Sequence, residues 1–167
     1  FRCDPRDTKS TQRLEALAKR EGSLSSVVDL YEEIAEEADD DLALSLRLRM
    51  GTFLMEDLDE SARAIATYKR VRQDEPDHEE ALSRLAQLYR QGGTPEALAE
   101  TLRSQSDIQH GPAEKGELLA ELAEVLEQQL EDAHRAHDVY NEMLDLDRTD
   151  ARAIAALHRL ASEGVQT

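Results

Sequence analysis

The sequence predicts an all-α stack of antiparallel helix pairs, and three observations carry that reading: a helix-forming composition, a long self-match, and turn signals at short, regular intervals. Ala, Leu, Glu and Arg dominate, and Trp is absent. β-Branched residues are too scattered to build strands. Sliding the chain against itself by 72 residues superposes LDESARAIATYKRVRQDEPDHEEALSRL on LEDAHRAHDVYNEMLDLDRTDARAIAAL. Leu58, Arg63, Ala64, Tyr68, Ala81 and Leu85 recur as Leu130, Arg135, Ala136, Tyr140, Ala153 and Leu157. Half that shift also works. Leu14, Met50, Leu85, Leu122 and Leu157 form one series, spaced by 35 to 37 residues, and Tyr31, Tyr68, Leu102 and Tyr140 form a second, spaced by 34 to 38. Each unit therefore holds a first helix from one series and a second helix from the other.

Local signals place the elements in order. A helix over 8–21 centres on Leu14 and ends at Gly22; one over 24–38 carries Tyr31. A third, over 42–56, holds Met50-Gly51, and a fourth, over 59–74, holds Tyr68 and stops before Pro76. Asp77 offers a cap for a helix over 78–91, which Gly92-Gly93 closes. Thr94-Pro95-Glu96 reads as an N-cap, a proline at the first helical position and an acid in the first turn, opening 94–107. Gly111-Pro112 opens 112–129, a helix over 131–146 carries Tyr140, and Thr149 offers a cap for 150–162. Helices of about 14 residues do not persist alone in water, so their apolar stripes must stack on neighbours.

These residues resemble the tetratricopeptide repeat, whose period is about 34 residues. Leu85-Ala86 stands at the family's Leu-Gly pair, Tyr89 at its first aromatic, Gly93 at the inter-helix turn, and Ala64, Tyr68, Val71 and Pro76 on the preceding second helix. Met50-Gly51 keeps the small residue that lets paired helices approach closely. The turns before Ala64 and Ala136 run one residue longer than the pattern, and Arg47 and Leu82 stand at its Trp position. The resemblance implies one repeat domain over 1–167, a right-handed superhelical α-solenoid with units at 8–41, 42–77, 78–111 and 112–149 and a half unit at 150–163. It also implies a non-catalytic protein-interaction scaffold, cytoplasmic, whose first helices line a groove. Asp4-Pro5 is expected to close an earlier helix, and Ala153, Ile154, Leu157 and Leu160 to face a missing neighbour, as in a segment of a longer array. A structural spacer that self-associates through end helices is the alternative.

Other chemistries fare poorly. With 37 acids against 20 bases, the net charge of −17 disfavours nucleic acid and anionic membranes, and no stretch approaches the ~20 apolar residues of a membrane span. His134 and His137 share a helix beside Asp138 and Glu131, but a metal-dependent enzyme would need a further ligand. Cys3 has no recognisable base near it. No enzyme activity, metal or cofactor is expected.

Charge gives the sharper site. The residue before each first-helix register position is Arg13, Arg49 and Arg84 in three successive units, then Glu121 and Ala156. Lys9, Thr52, Gln87 and Arg90 lie near these, whereas Glu117, Glu121 and Glu124 crowd the fourth unit, so the inner surface divides by sign. Guanidinium groups grip carboxylates, which suits a protein or peptide partner with an acidic segment. The expected partner-binding set is Lys9, Arg13, Arg49, Thr52, Arg84, Gln87 and Arg90. The run EEIAEEADDD at 32–41 is expected at the end of a second helix, where acids oppose the helix dipole, and it offers a second docking ridge, for a basic partner.

Overall fold

The computed structural model of the chain describes residues 6–162 and Gly164; Cys3 and Asp4-Pro5 lie outside them. The described residues are all-helical, with no strand. α1 (Thr8–Glu21), α2 (Leu24–Glu37), α3 (Asp40–Glu56) and α4 (Ser61–Asp74) belong to a first compact unit that closes at Pro76. The second unit opens at Asp77 and holds α5 (Glu79–Gly92), α6 (Pro95–Ile108), α7 (Pro112–Glu124), α8 (Ala133–Leu146) and α9 (Ala151–Ser162). Their boundary falls between the second and third expected repeats. Within each unit every helix packs on the next in the chain. No helix among the described residues is long and apolar enough to cross a membrane.

The expected elements are found with ends shifted by two residues or fewer, apart from 112–129. There α7 stops at Glu124 and the chain continues as one π turn, Val125–Gln129, whose hydrogen bonds skip an extra residue, as from Leu130 N to Val125 O at 3.1 Å. Two caps also differ. His78, not Asp77, caps α5, its Nδ1 accepting the Ala81 N–H at 3.2 Å. Asp150, not Thr149, caps α9, its carboxylate accepting the N–H groups of Arg152 and Ala153 at 2.9 and 3.1 Å, while Thr149 donates to Asp147.

The turns from first to second helices share one device. Each contains a single residue in the left-handed region: Gly22, Asp59, Gly93 and Glu131, with φ of 69°, 55°, 62° and 53°. In every case this residue sits two positions before the second helix begins, so the corner has fixed geometry. The corners come in two lengths. The short ones close with bonds from Ser23 N to Ala18 O and from Thr94 N to Tyr89 O. The long ones add a wider ring, from Glu60 N to Leu54 O at 2.7 Å and from Asp132 N to Leu126 O at 2.8 Å. These are the two turns that the sequence shows to be one residue longer, and each unit contains one short corner and one long one.

Both units build their cores from the register residues. Tyr31, Met50 and Tyr68 are buried in the first; Leu85, Leu102, Leu122 and Tyr140 are buried in the second. A Cβ placed on Gly51 would lie 2.5 Å from Cζ of Tyr68, so the α3 backbone rests directly on the tyrosine ring. Ala153 and Leu160 of α9 are buried among the described residues, contrary to the expectation that they face a missing neighbour; Leu157 is half-buried, and Ile154 is 39% exposed.

Candidate functional site

The expected site residues divide between the two units. In the first, Lys9 and Arg13 lie exposed on α1, and Arg49 and Thr52 lie half-buried on α3. Arg49 holds Glu15 of α1 at 3.0 Å, and Glu15 also accepts the Tyr31 hydroxyl at 2.8 Å. The Thr52 hydroxyl donates to the Leu48 carbonyl one turn back, at 3.0 Å. In the second unit, Arg84 and Gln87 are half-buried on α5 and Arg90 is exposed. The Arg90 guanidinium donates from Nε and Nη2 to one oxygen of Glu121, at 2.9 and 2.6 Å.

The division by sign takes a definite form in the second unit, where acidic α7 lies between basic neighbours. Arg90 of α5 reaches Glu121, Arg152 of α9 reaches Glu117 at 3.0 Å, and Arg159 of α9 pairs with Glu127. Glu124 stays exposed between them. A cleft of about 490 Å³ opens here, lined by Glu117, Glu121, Glu124, Tyr140, Arg152 and Arg159. Arg159 holds the Glu127 carboxyl below its usual range, helped by the Tyr140 hydroxyl, which donates to it at 3.0 Å. Burial, and then the neighbouring Glu127, push the Tyr140 phenol up to about 12.

Second helices carry a clasp that the site reasoning passed over. Arg63 of α4 reaches Asp29 of α2 at 2.9 Å and Glu60 at the start of its own helix at 3.0 Å. Arg135 of α8 repeats this, reaching Glu96 of α6 at 2.9 Å and Asp132 at 2.6 Å. The Glu96 carboxyl is lowered by the Arg135 guanidinium; that of Asp132 is lowered first by the Arg135 backbone N–H and then by its side chain. The signal was present in the sequence, since Arg63 and Arg135 recur identically at the 72-residue shift.

The acidic run straddles a junction instead of ending one helix. α2 ends at Glu37, Asp39 caps α3 by accepting the Leu42 N–H at 3.1 Å, and Asp40 and Asp41 occupy the first turn of α3, where the dipole favours them. Glu32 and Glu36 lie 3.6 and 3.9 Å from Arg63 and Arg70 of α4, so half the ridge serves packing. His134 is exposed, and His137 Nδ1 lies 3.2 Å from the Asn141 amide and 3.8 Å from Asp138. Among the described residues no three His, Cys, Asp or Glu side chains converge as metal ligands would. Comparison with known proteins found no match: no family model fits the chain, and no curated sequence aligns with it significantly.

Proposed function

We propose that the chain is a non-catalytic protein-interaction scaffold of the tetratricopeptide-repeat type, a right-handed superhelix of helix pairs whose first helices read an acidic segment of a partner protein. The observation that carries this reading is the Arg90–Glu121 contact. An arginine on a first helix, its side chain half exposed, grips a single carboxylate oxygen through two N–H groups. The resident carboxylate is a stand-in for the partner's. A surface pair of this kind contributes about 0–1 kcal/mol, so a partner carboxylate can displace Glu121 at small cost. Arg84 and Gln87 extend the same helix face, and Lys9, Arg13, Arg49 and Thr52 make the corresponding set in the first unit.

The test uses a fluorescein-labelled peptide of alternating Asp and Glu, followed by anisotropy across a salt series. Glu121→Gln frees Arg90 and should tighten binding by about threefold, while Arg84→Glu/Arg90→Glu should weaken it about tenfold or more, both effects fading as salt screens the charges. Thermal melts should stay within a few degrees of wild type, because the altered groups contribute little to folding. Binding indifferent to both variants would refute the reading.

A further inference from the structure

The α1–α2 pair has two flanks, and only one is covered by α3 and α4. The covered flank is acidic: Glu15 of α1 takes Arg49 of α3, while Asp29, Glu32 and Glu36 of α2 face Arg63 and Arg70 of α4. At 100° per residue, the opposite side of α1 carries Arg13 and Leu17, and the opposite side of α2 carries Leu30 and Ile34. Leu17 is 48% exposed and Leu30 is 42% exposed; Leu14 and Ile34, beside them, are half-buried. Large leucines this open are uncommon in a first unit whose other apolar register residues are buried.

The neighbouring pair shows what such a flank holds. α3 and α4 offer α2 a groove in which Met50, Leu54, Ala66 and Thr67 line an apolar floor and Arg63 and Arg70 sit at the edge, against the acids of α2. In register, Met50 corresponds to Leu14, Phe53 to Leu17, Thr67 to Leu30 and Val71 to Ile34, so α1 and α2 form the equivalent groove. Its basic edge comes from α1. That helix bears Lys9, Arg13, Lys19 and Arg20 against Glu15 and Glu21, an excess of two bases in a chain of charge −17. Apolar floor and basic rim together specify an occupant of the same kind as α2.

We propose that this flank of α1–α2 is a docking groove for an amphipathic helix of a partner protein, one with acidic residues along an edge of its apolar stripe. The leucines supply the contact area and Arg13 fixes the orientation by pairing with an acid, as Arg49 pairs with Glu15. This groove is separate from the Arg90-centred surface and does not depend on it.

The probe is a hydrocarbon-stapled, fluorescein-labelled helix with the sequence of α2, LSSVVDLYEEIAEE, titrated into the full chain. Saturable binding is expected. Leu17→Asp/Leu30→Asp should weaken it about tenfold or more, since burying a leucine is among the larger single contributions to docking, and Arg13→Glu about threefold. A probe with Asn for Asp29 and Gln for Glu32 and Glu36 should bind several-fold more weakly, and Arg90→Glu in the chain should change nothing. Circular dichroism checks that the leucine variant keeps its helices, with Leu17→Ser/Leu30→Ser as the milder replacement. Absence of saturable binding at millimolar probe overturns the proposal, and so does binding unaffected by the leucine changes, which would mean that the probe exchanges with resident α2. Light scattering should find a monomer; a dimer abolished by the same leucine variant would overturn the proposal in favour of a second copy as occupant.

Discussion

Substituting Gly51 by alanine sets two effects of known size against each other. In a helix, alanine is about 1 kcal/mol better than glycine, so an exposed site would gain stability. Gly51 is not exposed. Its Cβ would stand 2.5 Å from Cζ and 2.8 Å from Cε1 and Cε2 of Tyr68, whose ring is fully buried and has little room to retreat. Overpacking of this sort costs about 1–3 kcal/mol, so the net effect should be a loss of about 1 kcal/mol, a fall of roughly 4–8 °C for a unit of this size. Tyr68→Ala alone should cost about 3–5 kcal/mol. In that background the ring is gone and the sign should reverse, with Gly51→Ala now gaining up to about 1 kcal/mol. Urea unfolding followed by circular dichroism, run as a double-mutant cycle, measures the coupling. If Gly51→Ala stabilises the parent chain, or acts equally in both backgrounds, α3 does not rest on the Tyr68 ring and the packing argument fails.

Three further outcomes are expected. Glu96, Asp132 and Glu127 have carboxyls held below their usual range, so they stabilise the second unit above pH 4.5 and that contribution is lost as pH falls through their folded values; Arg135→Gln should flatten the acid limb of a stability–pH curve, and an unchanged limb would refute the clasp. Tyr140, raised to about 12, should ionise last among the tyrosines in an ultraviolet titration, its stabilising contribution lost as pH climbs from about 10 towards 12, and Glu127→Gln should bring the ionisation earlier. At the left-handed corners, Asp59→Gly and Glu131→Gly should each gain about 0.5 kcal/mol, relief of backbone strain outweighing the added freedom of the unfolded chain, whereas Gly22→Ala and Gly93→Ala should each lose about 1 kcal/mol; equal effects at all four positions in a melting series would contradict the assigned φ values.

The helices were legible because their signals are local: Pro95 and Pro112 open helices, Gly22 and Gly93 end them, and the two register series mark which faces are buried. The caps at His78 and Asp150 were missed for a related reason, since Asp77 and Thr149 alongside them are equally good capping types and only the backbone path decides between neighbours. Arg13, Arg49 and Arg84 could be picked out by periodicity, but what they touch could not. The acids that take Arg49, Arg90 and Arg135 lie 31 to 39 residues away, and no short-range rule selects one glutamate among so many. The π turn left no mark either, because Val125–Gln129 has the composition of ordinary helix and takes its form from the long corner that follows.

The alternation of short and long corners explains why the chain matches itself better at 72 residues than at half that distance. Gly22 and Gly93 mark one kind of hairpin, Asp59 and Glu131 the other, and each kind returns after 71 or 72 residues. The heritable block is therefore a pair of hairpins, not a single one. A gene of this design would grow or shrink by whole pairs: gaining one hairpin would set two corners of the same length side by side and shift every cross-helix clasp, whereas gaining two would leave Arg63 and Arg135 with a third arginine of the same kind in step behind them.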